Sequence, residues 1–130
     1  MSPAITLDVV PGSYAICRLN PAATAPAWAA GGPFSSITRT ACELSIVCSS
    51  DAVPADVEAQ RGYRALAVRG PLDFSLIGVV AQLSTTLAAA AISIFVVSTH
   101  DTDYVFVPDA DLDAAISALR TAGCAVTTGA

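Results

Sequence analysis

Side chains able to do chemistry concentrate in one short stretch of this chain. Thr99, His100, Asp101, Thr102 and Asp103 follow one another, so an imidazole stands beside two carboxylates. As a recognition corner, Asp101 and Asp103 would accept hydrogen bonds from an ammonium or another cationic group. As a plain β-turn, the same Asp and Thr residues would bond their own backbone, and at the level of sequence both readings stand. Catalysis finds less support, because a general base needs a nucleophile and a stabiliser of developing charge, and neither lies near His100 in sequence. The chain has no lysine, hence no Schiff-base amine and no P-loop lysine, and neither G-x-S-x-G nor H-E-x-x-H occurs. A metal centre is equally short of ligands: His100 is the single histidine, and Cys17, Cys42, Cys48 and Cys124 never form C-x-x-C. The expectation is therefore a protein that is not an enzyme, with no metal and no cofactor.

A second candidate is GPLDFSLIG, from Gly70 to Gly78. A strand stopped by Gly70 and Pro71, followed by a helix capped by Asp73 or Ser75, would turn unpaired N–H groups toward solvent, where they suit a small carboxylate. The same glycines also serve as a strand stop and a close helix-on-sheet contact, and on the residues alone that structural reading is favoured.

Positioning these groups requires a packed scaffold, and the composition supplies one. Of 130 residues, 54% are hydrophobic and 13% charged, enough apolar material for one ordinary domain or two very small ones. Eleven acids face six basic residues, all arginine, for a net charge of −5. That balance disfavours nucleic acid and anionic membrane surfaces as partners. Phe74 to Thr99 carries no formal charge and is long enough to cross a bilayer, but Gln82, Ser84, Thr85, Thr86 and Ser93 interrupt it. Its periodicity also changes near Ala90, so it reads as a helix followed by a strand rather than a membrane span. The N-terminus lacks a basic, then apolar, leader pattern, so a cytoplasmic location with free, buried cysteines is expected.

The C-terminal half has the clearest periodicity. Arg64 to Arg69 reads as a strand; Leu76, Ile77, Val79, Val80, Leu83 and Leu87 form a helical stripe. Ile92 to Ser98 and Tyr104 to Val107 are β-branched or aromatic strands around the polar turn. Asp109, Asp111 and Asp113 mark a helix start, Gly123 its stop, and Cys124 to Thr127 a last strand. Strand, helix, strand, strand, helix, strand is a ferredoxin-like order whose helices cover one face of the sheet, so the other face or an edge needs a partner. The N-terminal half reads as a worn copy. Ile37 to Val47 aligns with Val97 to Val107, Tyr14 to Leu19 is a strand, Pro21 to Ala30 is short and Pro-rich, and Val53 to Gln60 is expected as a short helix. The expected fold class is α+β, two βαββαβ units in tandem, with residues 1–63 the abbreviated unit and 64–130 the complete one.

From Gly70 to Pro108 the sequence resembles an ACT domain, the small-molecule-sensing module that regulates amino-acid metabolism. The likeness rests on Gly78, Ala81, Leu83 and Leu87, then A-x-I-S-I-x-x-x-S-T and D-Y-V-x-V-P. With GSYAICRL, GPFSSITRT and CELSIVCS in the first half, it is most similar to tandem-ACT proteins related to the cytosolic arginine sensors of animals and to aspartate kinase regulatory domains. The resemblance implies a ligand site where the first helix start of one unit meets a strand end of a neighbouring unit. The matching positions are Val79, Thr99, His100 and Asp103, with Leu76, Ile77, Gly78 and Asp101 beside them. Leu76 departs from the arginine sensors, which carry an acid there, so a small or apolar amino acid is the expected ligand. The implied protein is a non-catalytic, amino-acid-binding regulator, a homodimer paired through its C-terminal unit and acting on a partner enzyme of amino-acid metabolism. The alternative is an ACT-shaped interaction module that regulates such an enzyme without binding a small molecule.

Overall fold

A computed structural model describes residues 4–73 and 77–128. It is an α+β fold with two compact units, one made of residues 1–10 with 64–130, the other of residues 11–63. The chain passes between them at 10/11 and at 63/64, inside strands β1 (Thr6–Leu19) and β4 (Ala59–Val68).

In the unit containing the C-terminus, β4 is followed by α1 (Val79–Ala89), β5 (Phe95–Ser98), β6 (Asp103–Pro108), α2 (Leu112–Thr121) and β7 (Ala125–Thr127). The helix-and-strand order read from the sequence is present, but the sheet runs β7-β1-β4-β6-β5. The start of β1 stands where a single ferredoxin-like unit would pair its first and last strands. Thr6, Leu7 and Asp8 lie parallel to Ala125, Val126 and Thr127, and on its other side the N–H of Arg69 donates to the Thr6 carbonyl at 2.7 Å.

The 2.0-residue period of the strands sorts side chains onto two faces. Leu7, Leu66, Val68, Val105, Val107 and Val126 meet Leu83 and Leu87 of α1 and Ile116 and Leu119 of α2 in one apolar cluster. Each fully buried leucine there contributes about 2 kcal/mol by removal from water. The opposite face is not bare: Ala65 and Phe106 have no exposed surface, and Phe95 meets Phe106 edge-on with ring centroids 6.1 Å apart.

The helix ends follow local chemistry. α2 is preceded by a 3-10 turn, Asp109–Asp111, and carries Asp113 in its first turn, so negative charge meets the positive end of the helix dipole. At its other end Gly123 takes φ +99°, and the N–H of Cys124 reaches back to the Leu119 carbonyl at 2.9 Å. α1 starts later than the sequence predicts. Its N-cap is Gly78, not Asp73, and Ser75 lies outside the described residues. Its 11 residues leave it too short to cross a membrane, and among the described residues no helix is long and apolar enough to do so.

The unit of residues 11–63 orders its strands β2 (Ser36–Arg39), β3 (Leu44–Ser49), β1, β4. Tyr14 to Leu19 pair antiparallel with Ser49 to Leu44, and β2 pairs antiparallel with β3. Its core holds Ala15, Cys17, Leu44, Ile46 and Cys48, with Trp28 packed against them; on the other face Phe34 sits edge-on to Tyr14 at 6.5 Å. The unit lacks the two α-helices of a βαββαβ motif. Pro21 to Ala30 yields only a 3-10 turn, Ala27–Ala30, and the helix expected over Val53 to Gln60 is absent. There the N–H of Val57 closes a turn on the Pro54 carbonyl at 3.2 Å, and Val53, Val57 and Ala59 enter the core. Eight residues with an early proline do not sustain a helix nucleus, whereas two β-branched valines bury readily from extended backbone. Cys42, expected to be buried, is exposed in the turn after Thr40, whose hydroxyl accepts N–H bonds from Cys42 and Glu43.

Candidate functional site

Two segments far apart in sequence close on each other in the unit that contains the C-terminus. The Gly70 to Asp73 segment leaves β4 and passes the turn between β5 and β6. There the N–H of Leu72 donates to the Asp101 carbonyl at 2.6 Å, and the Thr102 hydroxyl donates to the Val68 carbonyl. Gly70 eases this approach. A Cβ at that position would stand 3.0 Å from the Leu72 nitrogen and 3.1 Å from the Asp101 oxygen, both backbone atoms, so the two segments would have to give by a few tenths of an ångström.

The turn is held from inside as well. Thr99 donates its N–H to the Thr102 carbonyl at 2.8 Å, and its hydroxyl accepts the Thr102 N–H at 3.3 Å. The Ser98 hydroxyl donates to the Asp103 carboxylate, and Nδ1 of His100 lies 3.0 Å from the Asp101 carboxylate. The sequence left a choice between β-turn and recognition corner. The turn exists, with its Thr side chains holding the backbone, and its acidic side chains still border open space.

That space is a cleft of about 390 Å³, walled on one side by Ser98 to Asp103 and on the other by Leu72, Asp73 and the start of α1, Gly78 to Ala81. Gly78 takes φ +91°, a left-handed conformation that residues with a side chain adopt at a cost, and it offers no side-chain cap. Among the described residues, no Ser or Asp side chain caps the first-turn N–H groups of Val79, Val80 and Ala81. An uncapped helix start carries partial positive charge and suits an anion such as a carboxylate.

The other wall has the opposite sign. Asp73, Asp101 and Asp103 line the cleft, and no arginine does. All six arginines make bonds elsewhere: Arg18 to the Cys42 carbonyl, Arg39 to Pro21 and Ala23, and Arg61 to Val53 and Pro54. Arg64 pairs with Asp109, Arg69 with Asp8, and Arg120 with the Val126 carbonyl. An acidic wall favours an incoming ammonium, and two poles on one cleft match a zwitterion.

Of the residues singled out from sequence, Gly78, Val79, Thr99, His100, Asp101 and Asp103 surround this one cleft. Ile77 does not line it and is 87% exposed, and Leu76 lies outside the described residues. Sequence reasoning missed Val80, Ala81 and Ser98 as lining residues, while Leu72, Asp73 and Thr102 lie inside the two stretches it singled out without being named as ligand contacts. The sequence offers Asp73 or Ser75 as a helix cap after Gly70 and Pro71; with the helix beginning only at Val79, Asp73 instead borders the opening. The cleft lies within the unit that contains the C-terminus. Among the described residues no group of His, Cys, Asp and Glu is arranged to hold a metal ion.

Residues 58–121 match the family model of the ACT domain, and residues 12–56 match a model of an N-terminal domain. A crystallised protein from Agobacterium tumefaciens is 41% identical over 99% of this chain and 96% of its own, with a TM-score of 0.93. Two more distant structures share the fold. One is a Vibrio cholerae protein described as of unknown function and possibly a transport protein, 21% identical over 92% of this chain and 91% of its own, TM-score 0.77. The other is the ligand-free regulatory subunit of aspartate kinase from Thermus thermophilus, 15% identical over 94% of this chain and 99% of its own, TM-score 0.62.

Proposed function

This chain belongs to the ACT domain family, and from that premise we propose that it is a non-catalytic regulatory protein that binds an amino acid in the cleft between the α1 start and the β5–β6 turn. The observation that carries the reading is the pairing of opposite poles on one opening: uncapped N–H groups at Val79 to Ala81, and the carboxylates of Asp73, Asp101 and Asp103. The ligand's carboxylate would take the helix start and its ammonium the acidic wall. The apolar surface of Leu72, Val79 and Val80 suits a small or aliphatic side chain, and the three carboxylates disfavour an acidic one. The fold shared with an aspartate kinase regulatory subunit supports a regulatory role, exerted on a partner enzyme of amino-acid metabolism.

Isothermal titration of the purified chain against the twenty amino acids tests this. Saturable heat from at least one neutral amino acid is expected, with none from aspartate or glutamate. Silence across the whole set at millimolar concentration would overturn the reading and leave the interaction-module alternative.

A further inference from the structure

Among the described residues β7 pairs only with β1, so it ends the sheet, and the register assigns its outward groups. The N–H of Ala125 donates to the Ile5 carbonyl at 3.0 Å, so in this parallel ladder Ala125 and Thr127 address β1. Val126 and Thr128 therefore turn their N–H and C=O groups outward. One of these already has a partner from outside the ladder: Nη2 of Arg120 donates to the Val126 carbonyl at 2.7 Å. Arg120 stands in the last turn of α2, where a cation ordinarily serves the helix's own last carbonyls, yet its bond crosses to the strand.

Between α2 and this edge runs a groove of about 350 Å³, lined by Asp113, Ile116, Ser117, Arg120, Thr121 and Thr128. Ile116 is buried and the polar five are exposed. Asp113 and Arg120 stand two turns apart on one helix and, among the described residues, do not pair with each other. A guanidinium is a fork of N–H donors, and most of Arg120's fork remains after its bond to Val126. The groove thus offers one cation and one anion, each open to an incoming partner, beside a strand edge whose main-chain groups point the same way.

We infer that this edge and groove dock an extended segment of a partner protein, added antiparallel to β7 and carrying an acidic and a basic residue two positions apart. The segment's residue opposite Val126 exchanges both main-chain bonds with it, and the Val126 carbonyl has a second lone pair for the incoming N–H. Its side chain falls on the helix side of the sheet, as that of Val126 does, and a carboxylate there meets the Arg120 fork. The chain reverses at Gly123, so Thr128 lies toward the start of α2, where Asp113 stands. A side chain opposite Thr128 falls on the same side, and a cation suits it. Charge requires the pair, because a chain of net −5 repels a segment of acids alone. With only three residues in β7, main-chain bonds hold a segment weakly, and the two charged contacts supply its selectivity. The docking does not rest on amino-acid binding in the cleft.

An array of acetylated, amidated hexapeptides varied at every position, probed with the full chain in the absence of amino acid, tests it. Bound peptides are expected to share an acid and a base two positions apart. In Arg120→Met the best of them should bind roughly tenfold more weakly or worse, the scale of one charged hydrogen bond. If that variant unfolds, Asp113→Asn, at an exposed position, decides instead by losing the preference for the base. On the native chain, saturating peptide is expected to slow hydrogen exchange at the Val126 amide. Absence of selective binding, a bound peptide that leaves the Val126 amide exchanging as before, or a folded variant that binds as the native chain does overturns the inference. None of these outcomes bears on the titration of amino acids.

Discussion

The backbone N–H of Leu72 donates to the carbonyl of Asp101 at 2.6 Å, and this bond fixes the polar turn against the segment that leads to α1. It joins residues 29 positions apart into one wall system, so the cleft depends on a backbone contact rather than on side-chain packing. Gly70 eases it by leaving no Cβ in the gap.

Gly70→Ala is therefore expected to act through sterics. Its Cβ would meet two backbone atoms at 3.0 and 3.1 Å, and the strain of forcing them apart is expected to cost about 1–3 kcal/mol of stability. Urea denaturation measures this, and amino-acid affinity should fall with it. Gly78→Ala is the contrasting case. Its Cβ would meet nothing within 4 Å, so only the φ of +91° resists it, at about 1–2 kcal/mol. A Gly70→Ala variant as stable as the native chain would show that the two segments separate at little cost.

Asp103→Asn is expected to weaken amino-acid binding roughly 10- to 100-fold, the range for losing one charged hydrogen bond. The amide still accepts from the Ser98 hydroxyl, so the turn should keep its fold. Calorimetric titration alongside a thermal melt separates the two effects: an unchanged dissociation constant removes Asp103 from the site, and an unchanged melt confirms that only binding was altered.

Acid should weaken one particular stitch. Nε of Arg69 donates to the Asp8 carboxylate at 3.0 Å and its Nη2 holds the other oxygen, joining the end of β4 to β1. This hydrogen bonding holds the Asp8 carboxyl below the usual Asp value, against a smaller opposing effect of burial. With the folded pKa depressed, the stabilisation is fully present above the unfolded Asp value and is lost as pH falls through the folded one. The melting temperatures of native chain and Asp8→Asn should differ by a constant amount above the ordinary Asp range and converge toward strong acid. The pair is largely exposed, so the difference should be small and should shrink in high salt.

Thiol reactivity should distinguish the cysteines. Burial pushes the Cys48 thiol up to about 11 and raises Cys17 and Cys124 as well, while Cys42 is exposed. A thiolate-selective reagent at neutral pH is expected to modify Cys42 alone in the folded chain and all four cysteines after unfolding. Rapid native-state reaction at Cys17 or Cys48 would contradict the packing of the first unit's core.

Strong periodicity made much of this legible in the sequence. Leu83 and Leu87, the β-branched run into β5 and the aspartates ahead of α2 each specify an element locally, and each element is where its residues place it. What was hidden depends on distance in the chain. Nothing local tells the start of β1 to stand beside β7, because that pairing joins residues some 120 positions apart. Gly78 reads in the sequence as a packing glycine, whereas it stands at the N-cap of α1 in a left-handed conformation, and Asp73 lies ahead of the helix. Val53 and Val57 failed as helix residues because burial in the core outweighed a weak local preference.

The most direct test follows backbone amide resonances while an amino acid that gives saturable heat is added. The account expects Val79, Val80 and Ala81 to shift together with Thr99 to Asp103, on one saturation curve, while the strands of residues 11–63 stay in place. Saturable binding that leaves both walls of the cleft unmoved would contradict it.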